Sequence, residues 1–133
     1  MDLCGIIKGE RHPKGWGEEI WVANSSLYCG KILILRERKK CSIHYHLIKD
    51  ETFLVEEGLV QIDVYPNVKF GTDKKDLSTV NIGKRKRWVM GPRDILHIYP
   101  GLPHQFFGLQ NSRIFEFSTQ HFEDDSYRVE KGD

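Results

Sequence analysis

Short runs in which apolar or aromatic residues alternate with polar ones recur along this chain: EIWVAN, YCGKILILRE, CSIHYHL, ETFLVEEG, LVQIDVYP, DILHIYPG, HQFFGL and SRIFEFS. Period-two alternation is what a strand with one buried face requires, because successive side chains leave the backbone on opposite sides. The runs are rich in β-branched and aromatic residues and are punctuated by Gly, Pro or charged turns, and none sustains a 3.6-residue apolar period. Many short strands at that spacing predict an all-β sandwich or barrel. A length of 133 residues predicts one domain, 1–133, with enough interior for a core. Segment 1–17, rich in Gly, Lys and Pro, is expected to wrap over the outside. The polar stretch 66–86 breaks the rhythm and is expected to be an extended hairpin or loop.

The alternation has a chemical consequence in CSIHYHL. His44 and His46 are two apart, so a strand presents both imidazoles on one face. A four-residue connection then leads to Glu51, which can add an anionic oxygen beside the two nitrogens. Some fifty residues on, YPGLPHQF supplies His104. Three imidazoles and one carboxylate suit one divalent transition metal ion, Mn, Fe, Co, Ni or Zn, rather than the oxygen-seeking Ca or Mg. The expected ligands are His44, His46, Glu51 and His104, with two coordination positions left for substrate. Because the ligands must be deprotonated, binding is expected to weaken as pH falls through the histidine range.

HxH, four residues, Glu, six residues, Gly resembles the first motif of the cupin superfamily, matched by His44, His46, Glu51 and Gly58. The second cupin motif is matched less fully. Gly101 stands three residues before His104, but Tyr99 takes the usual proline position beside Pro100. Arg93 replaces the leading glycine, Gly108 the trailing asparagine, and Arg38 the glycine that opens the first motif. None of these departures touches a ligand; they bear on turns. The resemblance implies a double-stranded β-helix, the cupin jelly roll. Within it, WGEEIW, YCGK, HYH-x4-E, PGLPHQFFGL and EFST followed by DD and Arg look most like small cupin-type sugar isomerases. These are the mannose-6-phosphate isomerase and D-lyxose isomerase types, and the likeness runs from about Gly15 to Arg128.

That likeness implies a sugar or sugar-phosphate substrate and aldose–ketose isomerisation. Such chemistry needs a Lewis acid on the carbonyl and hydroxyl oxygens, and a base that moves a proton between C1 and C2. Glu116 is the expected base, since a glutamate at the EFST-like position lies near substrate in the resembling isomerases. Alternation alone argues the other way: Phe115 and Phe117 in the core would turn Glu116 to solvent. Lys31, interrupting YCGKILILR where an apolar residue is expected, is the second candidate, for an enediolate oxygen or a substrate phosphate. His97 could line the pocket or be structural. His12 and His121 carry no spacing that singles them out, and Tyr45 and Trp88 read as core or interface residues.

Composition narrows the rest. Twenty basic against nineteen acidic residues leave almost no net charge, which excludes a general pull toward nucleic acid or anionic membrane. The basic run Lys84–Arg87 reads as a solvated strand end, with a phosphate-facing rim as the alternative. The longest aliphatic run, Ile32–Leu35, is far too short to span a bilayer. No basic head with a long apolar stretch opens the chain, so no secretory signal is expected. Cys4, Cys29 and Cys41 lack CxxC spacing and fit free thiols in a reducing cytoplasm. Cys41 reads as a small buried hydrophobe near the ligand strand, with a reactive thiol as the alternative. Apolar residues on both faces of ETFLVE and SRIFEFS predict a homodimer. Two other functions compete: an iron-dependent dioxygenase on the same ligand set, and a non-catalytic cupin that binds metal or sugar.

Overall fold

Alternation decides the interior. In Cys29–Leu35 every second residue is buried, and the same holds in Glu51–Val55 and Ser112–Glu116. The computed structural model describes residues 4–133; the first three residues of the expected wrapping segment and of the expected signal-free start lie outside them. Eleven strands follow in order: β1 (Glu10–Lys14), β2 (Gly17–Asn24), β3 (Cys29–Leu35), β4 (Ile43–Tyr45), β5 (Glu51–Glu57), β6 (Val60–Val64), β7 (Lys86–Met90), β8 (Ile95–Ile98), β9 (His104–Gly108), β10 (Ser112–Ser118) and β11 (Tyr127–Glu130). They form two antiparallel sheets, ordered β1-β2-β3-β10-β5-β8 and β11-β4-β9-β6-β7. The result is the expected all-β jelly roll. Among the described residues the helices are two short 3-10 turns, and none is long and apolar enough to cross a membrane.

Cross-strand register divides the interior into levels. Ile114 stands opposite Leu33 on one side and Val55 on the other, and with Phe53, Ile62 and Phe106 these fill an apolar end. Each such side chain contributes roughly 1.5–3 kcal/mol by leaving water. One level along, Glu116 stands opposite Lys31 and Phe53. There the interior turns polar, and the site lies at that end.

The segment expected to wrap instead contributes β1, which pairs along β2 as an edge strand; residues 4–9 ahead of it are exposed. Its Glu10, His12 and Lys14 stand opposite or beside inward positions of β2 because register, not composition, sets which face they take. The polar stretch 66–86 is largely a loop, pinned by a Lys69–Asn81 bridge and a 3-10 turn capped by Asp76. It packs back on β4: Phe70 lies 5.3 Å edge-on to Tyr45, whose hydroxyl donates to the Lys74 carbonyl.

Two of the motif departures have a backbone cost. Arg38 and Arg93, each where the cupin pattern has glycine, adopt φ of 63° and 71°. A side chain there costs on the order of 1–2 kcal/mol, offset by N–H bonds of 2.7 Å to the carbonyls of Gly108 and Val55. Gly58 keeps the motif residue because nothing else fits: its φ is 101°, and a Cβ would lie 2.2 Å from Ser112 Oγ. On the outer face of the larger sheet, Ile20, Ile32, Phe115, Leu54 and Ile95 stand side by side across five strands. This is the outward apolar face on which the expected homodimer rests.

Candidate metal centre

A cavity of about 430 Å³ opens between the sheets at their polar end, lined by residues of both. Strand β4 aims His44 and His46 into it, and His104 at the start of β9 stands directly opposite His44. The ligating nitrogens of the three rings lie within 4.8 Å of one another. Each ring is oriented from behind by a main-chain carbonyl: Nδ1 of His44 donates to Ser42 at 3.0 Å, of His46 to Asp125 at 2.8 Å, and of His104 to Leu102 at 2.9 Å. That fixes the tautomer and leaves three Nε2 lone pairs facing inward, the arrangement that suits imidazole to a metal. Burial holds the rings neutral. His46 is pulled down to about 3, with His44 and Lys49 adding to the effect, and His44 and His104 are lowered in the same direction for the same first reason.

Glu51, at the head of β5 and 2% exposed, faces the same point. Its Oε1 lies 3.6 Å from His46 Nε2 and its Oε2 3.5 Å from His104 Nε2. Both Glu51 Oε2 and His104 Nε2 are buried without a hydrogen-bond partner. Two acceptors facing each other out of water are unfavourable unless a cation or proton stands between them. Donors on one divalent ion about 2.1 Å away would themselves be about 3–3.5 Å apart. The donor set fits a metal on both counts, and the histidine cluster can bind one.

Beside this centre lies a buried ion group that alternation in the sequence does not show. Lys49, 2% exposed, reaches Glu116 Oε2 at 2.6 Å, Glu51 Oε1 at 3.4 Å and His121 Nδ1 at 3.3 Å. Burial lowers the Lys49 pKa, but the two carboxylates outweigh it and the net shift is upward. Glu116 is buried and also accepts from Ser118 Oγ at 3.0 Å. Burial, then the neighbouring Glu116, pushes Glu51 up to about 8 against the opposing pull of Lys49. Lys49 sits in the connection after β4, which Asp125 holds: its carboxylate accepts the N–H groups of Leu47, Ile48 and Lys49 at 2.9–3.1 Å.

On the third wall Lys31, buried, ion-pairs with Glu19 at 3.3 Å and lies 4.5 Å over the Trp21 ring. Trp21 Nε1 donates to the same Glu19 oxygen at 2.9 Å. Burial raises the Glu19 pKa, yet Lys31 and these bonds bring the net shift below the usual carboxylate value. Glu19, Lys49 and His121 thus line the cavity although no spacing marked them. The signal available was the shared face of Glu19 and Trp21 in GEEIW, two residues apart.

Other candidates fall elsewhere. His97 is exposed and bonds Asp50 at 2.5 Å, outside the cavity lining, and His12 stacks on Trp21 at 4.0 Å. Tyr45 is fully buried behind β4, and Trp88 is exposed beside Lys86. In the exposed run Lys84–Arg87 the first two residues precede β7 and the last two begin it, where Arg87 forks onto Asp63 at 2.7 and 3.0 Å; none of the run lines the cavity. Cys41 does line it, but burial pushes its thiol up to about 12, so it is a small hydrophobe rather than a nucleophile.

No family model matches the chain, and no curated protein sequence does. Solved structures do. The capsular polysaccharide assembling protein CapF from Staphylococcus aureus superposes with a TM-score of 0.72 at 15% identity, over 94% of this chain and 32% of its own. Oxalate decarboxylase from Bacillus subtilis gives 0.71 at 13% identity, over 95% and 34%. KdgF from Halomonas sp. gives 0.64 at 13% identity, over 86% and 91%. The chain spans about a third of the length of CapF and of oxalate decarboxylase. These are cupin-fold proteins, and the fold of this chain is the cupin jelly roll.

Proposed function

We propose that this chain is a metal-dependent aldose–ketose isomerase acting on a sugar or sugar phosphate through an enediol. His44, His46, Glu51 and His104 hold one divalent transition metal ion in this reading. The observation that carries it is Glu116, a buried carboxylate on the wall of a metal-competent cavity, with Lys49 and Ser118 fixing one oxygen. A base so placed can take a proton from the carbon next to the carbonyl and return it to the carbonyl carbon, while the hydroxyl proton passes between the two oxygens in the same sense. When bound, the metal would supply Lewis acidity to the carbonyl and hydroxyl oxygens. Lys31 places a fixed positive charge on the same wall, where it stabilises negative charge developing on the intermediate. CapF, a capsular polysaccharide assembling protein, accords with carbohydrate chemistry on this fold. Three unpaired cysteines accord with a reducing compartment.

The test is a panel of aldoses and ketoses, free and phosphorylated, given to the metal-loaded protein in deuterated water. Isomerised product carrying deuterium at C1 or C2 is expected. Product without deuterium would point to a hydride shift or to a transferred proton fully shielded from solvent, and no product from any sugar would reject the isomerase.

Metal affinity should report which group carries the proton. The histidines are already neutral, so the expected dependence moves from the histidine range to Glu51. Its raised pKa means that below about pH 8 the metal-free site holds a proton that the ion must expel. Affinity should therefore rise about tenfold per pH unit from roughly pH 6 toward pH 8 and level off above it. Chelator competition across that window measures it, and a flat profile would remove Glu51 from the ligand set.

A further inference from the structure

Four cationic side chains line the cavity: Lys14, Lys31, Lys49 and Arg128. Two are committed, Lys31 to Glu19 and Lys49 to Glu116 and Glu51. Lys14 and Arg128 take part in none of the ion pairs found among the described residues. Arg128 stands directly opposite His44 in the β11–β4 register, so its side chain leaves on the same face as that imidazole. Lys14 ends β1, the edge strand of the other sheet. The two edges touch there: a Cβ on Gly15 would lie 2.4 Å from the carbonyl carbon of Asp133, just beyond β11. The uncommitted cations thus belong to the two strands that flank one margin of the cavity. Arg128 is exposed and Lys14 half-buried, as groups at its mouth would be.

The charge balance points the same way. The four cations of the lining are matched by four carboxylates, Glu19, Glu51, Glu116 and Glu123. A divalent ion on the histidine cluster leaves a surplus of two positive charges, and a phosphate monoester near neutral pH brings close to two negative ones. An arginine fork matches phosphate oxygens in a bidentate way, and lysine adds a point charge.

We propose that Arg128 and Lys14 form a phosphate subsite at the cavity mouth, which makes the substrate a phosphorylated sugar rather than a free one. The identity of the sugar rests on the isomerase reading; the anion site does not. The phosphate is held at the mouth and the carbonyl end is directed inward, toward the histidine cluster and Glu116.

Calorimetry on the metal-loaded protein tests this with three probes: a hexose 6-phosphate, the same free hexose, and inorganic phosphate. The hexose phosphate should bind at least about tenfold tighter than the free hexose, the yield of one charge-assisted contact. Arg128→Leu should remove most of that preference, Arg128→Lys should keep part of it, and Lys14→Met should cost several-fold. Affinity for free hexose should not change in any of them. Arg128 is exposed, so the variants should melt like the parent. Equal binding of phosphorylated and free hexose would overturn the proposal, as would no binding of either phosphate at millimolar concentration. Full phosphate affinity in the Arg128→Leu, Lys14→Met double variant would seat the anion on the metal instead. Phosphate preference without turnover would reject the isomerase and leave the subsite standing.

Discussion

Exchanging Glu116 for glutamine is expected to lower turnover by about two to four orders of magnitude, the contribution of a positioned acid–base group. Metal content should not change. Glutamine keeps the shape of the side chain, and its amide oxygen can still accept from Lys49 or Ser118, which now hold Glu116 Oε2 at 2.6 and 3.0 Å. What it loses is the ability to take a proton. The substitution also strips Lys49 of its nearest counter-charge, leaving Glu51 at 3.4 Å as its carboxylate partner. Breaking a buried pair costs about 3–5 kcal/mol when the remaining charge has no other partner, so with Glu51 present the loss of stability should fall below that range. Kinetics and elemental analysis on the same preparation, with a melting curve, separate these effects. Turnover equal to that of the parent protein would take Glu116 out of the proposed mechanism.

The same residue shows where the sequence stopped being informative. Alternation in SRIFEFS says that Glu116 and its two phenylalanine neighbours take opposite faces, and they do, but it does not say which face is inside. Counting apolar side chains favours the phenylalanines, and Phe117 is nonetheless 55% exposed. Register settles it: β10 lies between β3 and β5, and its Ile114 has to meet Leu33 and Val55, which turns Glu116 inward beside Lys31. The strands, the jelly roll and the convergence of His44, His46 and His104 could be read from local pattern because each follows from period two plus a motif spacing. Lys49 could not. It lies in the four-residue connection HLIKDE, and Asp125, more than seventy residues away, is what folds that connection inward. Arg128 had a similar position, named only as the end of a resembling stretch until β11 paired with β4 and set it opposite His44. Long-range pairing, unlike periodicity, leaves no trace in a single strand.

Replacing His104 with alanine is expected to leave the purified protein nearly free of metal. His104 is 1% exposed, its ring is aimed by Leu102, and its unpartnered Nε2 lies 3.5 Å from an equally unpartnered oxygen of Glu51. Loss of a group that merely orients a ligand costs about 10–100-fold in affinity, so loss of the ligand itself should exceed about a hundredfold. Stability distinguishes this from a structural histidine. The ring borders an existing cavity, and its Nε2 has no hydrogen-bond partner. Removing it should therefore shift the metal-free melting temperature little. The parent protein should gain stability on adding a divalent ion, about 2.7 kcal/mol at a hundred times its dissociation constant, and His104→Ala should gain almost none at the same concentration. Elemental analysis and paired melting curves with and without metal make the measurement. Full metal content in the variant would place the ion away from these three histidines, and a large drop in metal-free stability would make His104 a packing residue instead.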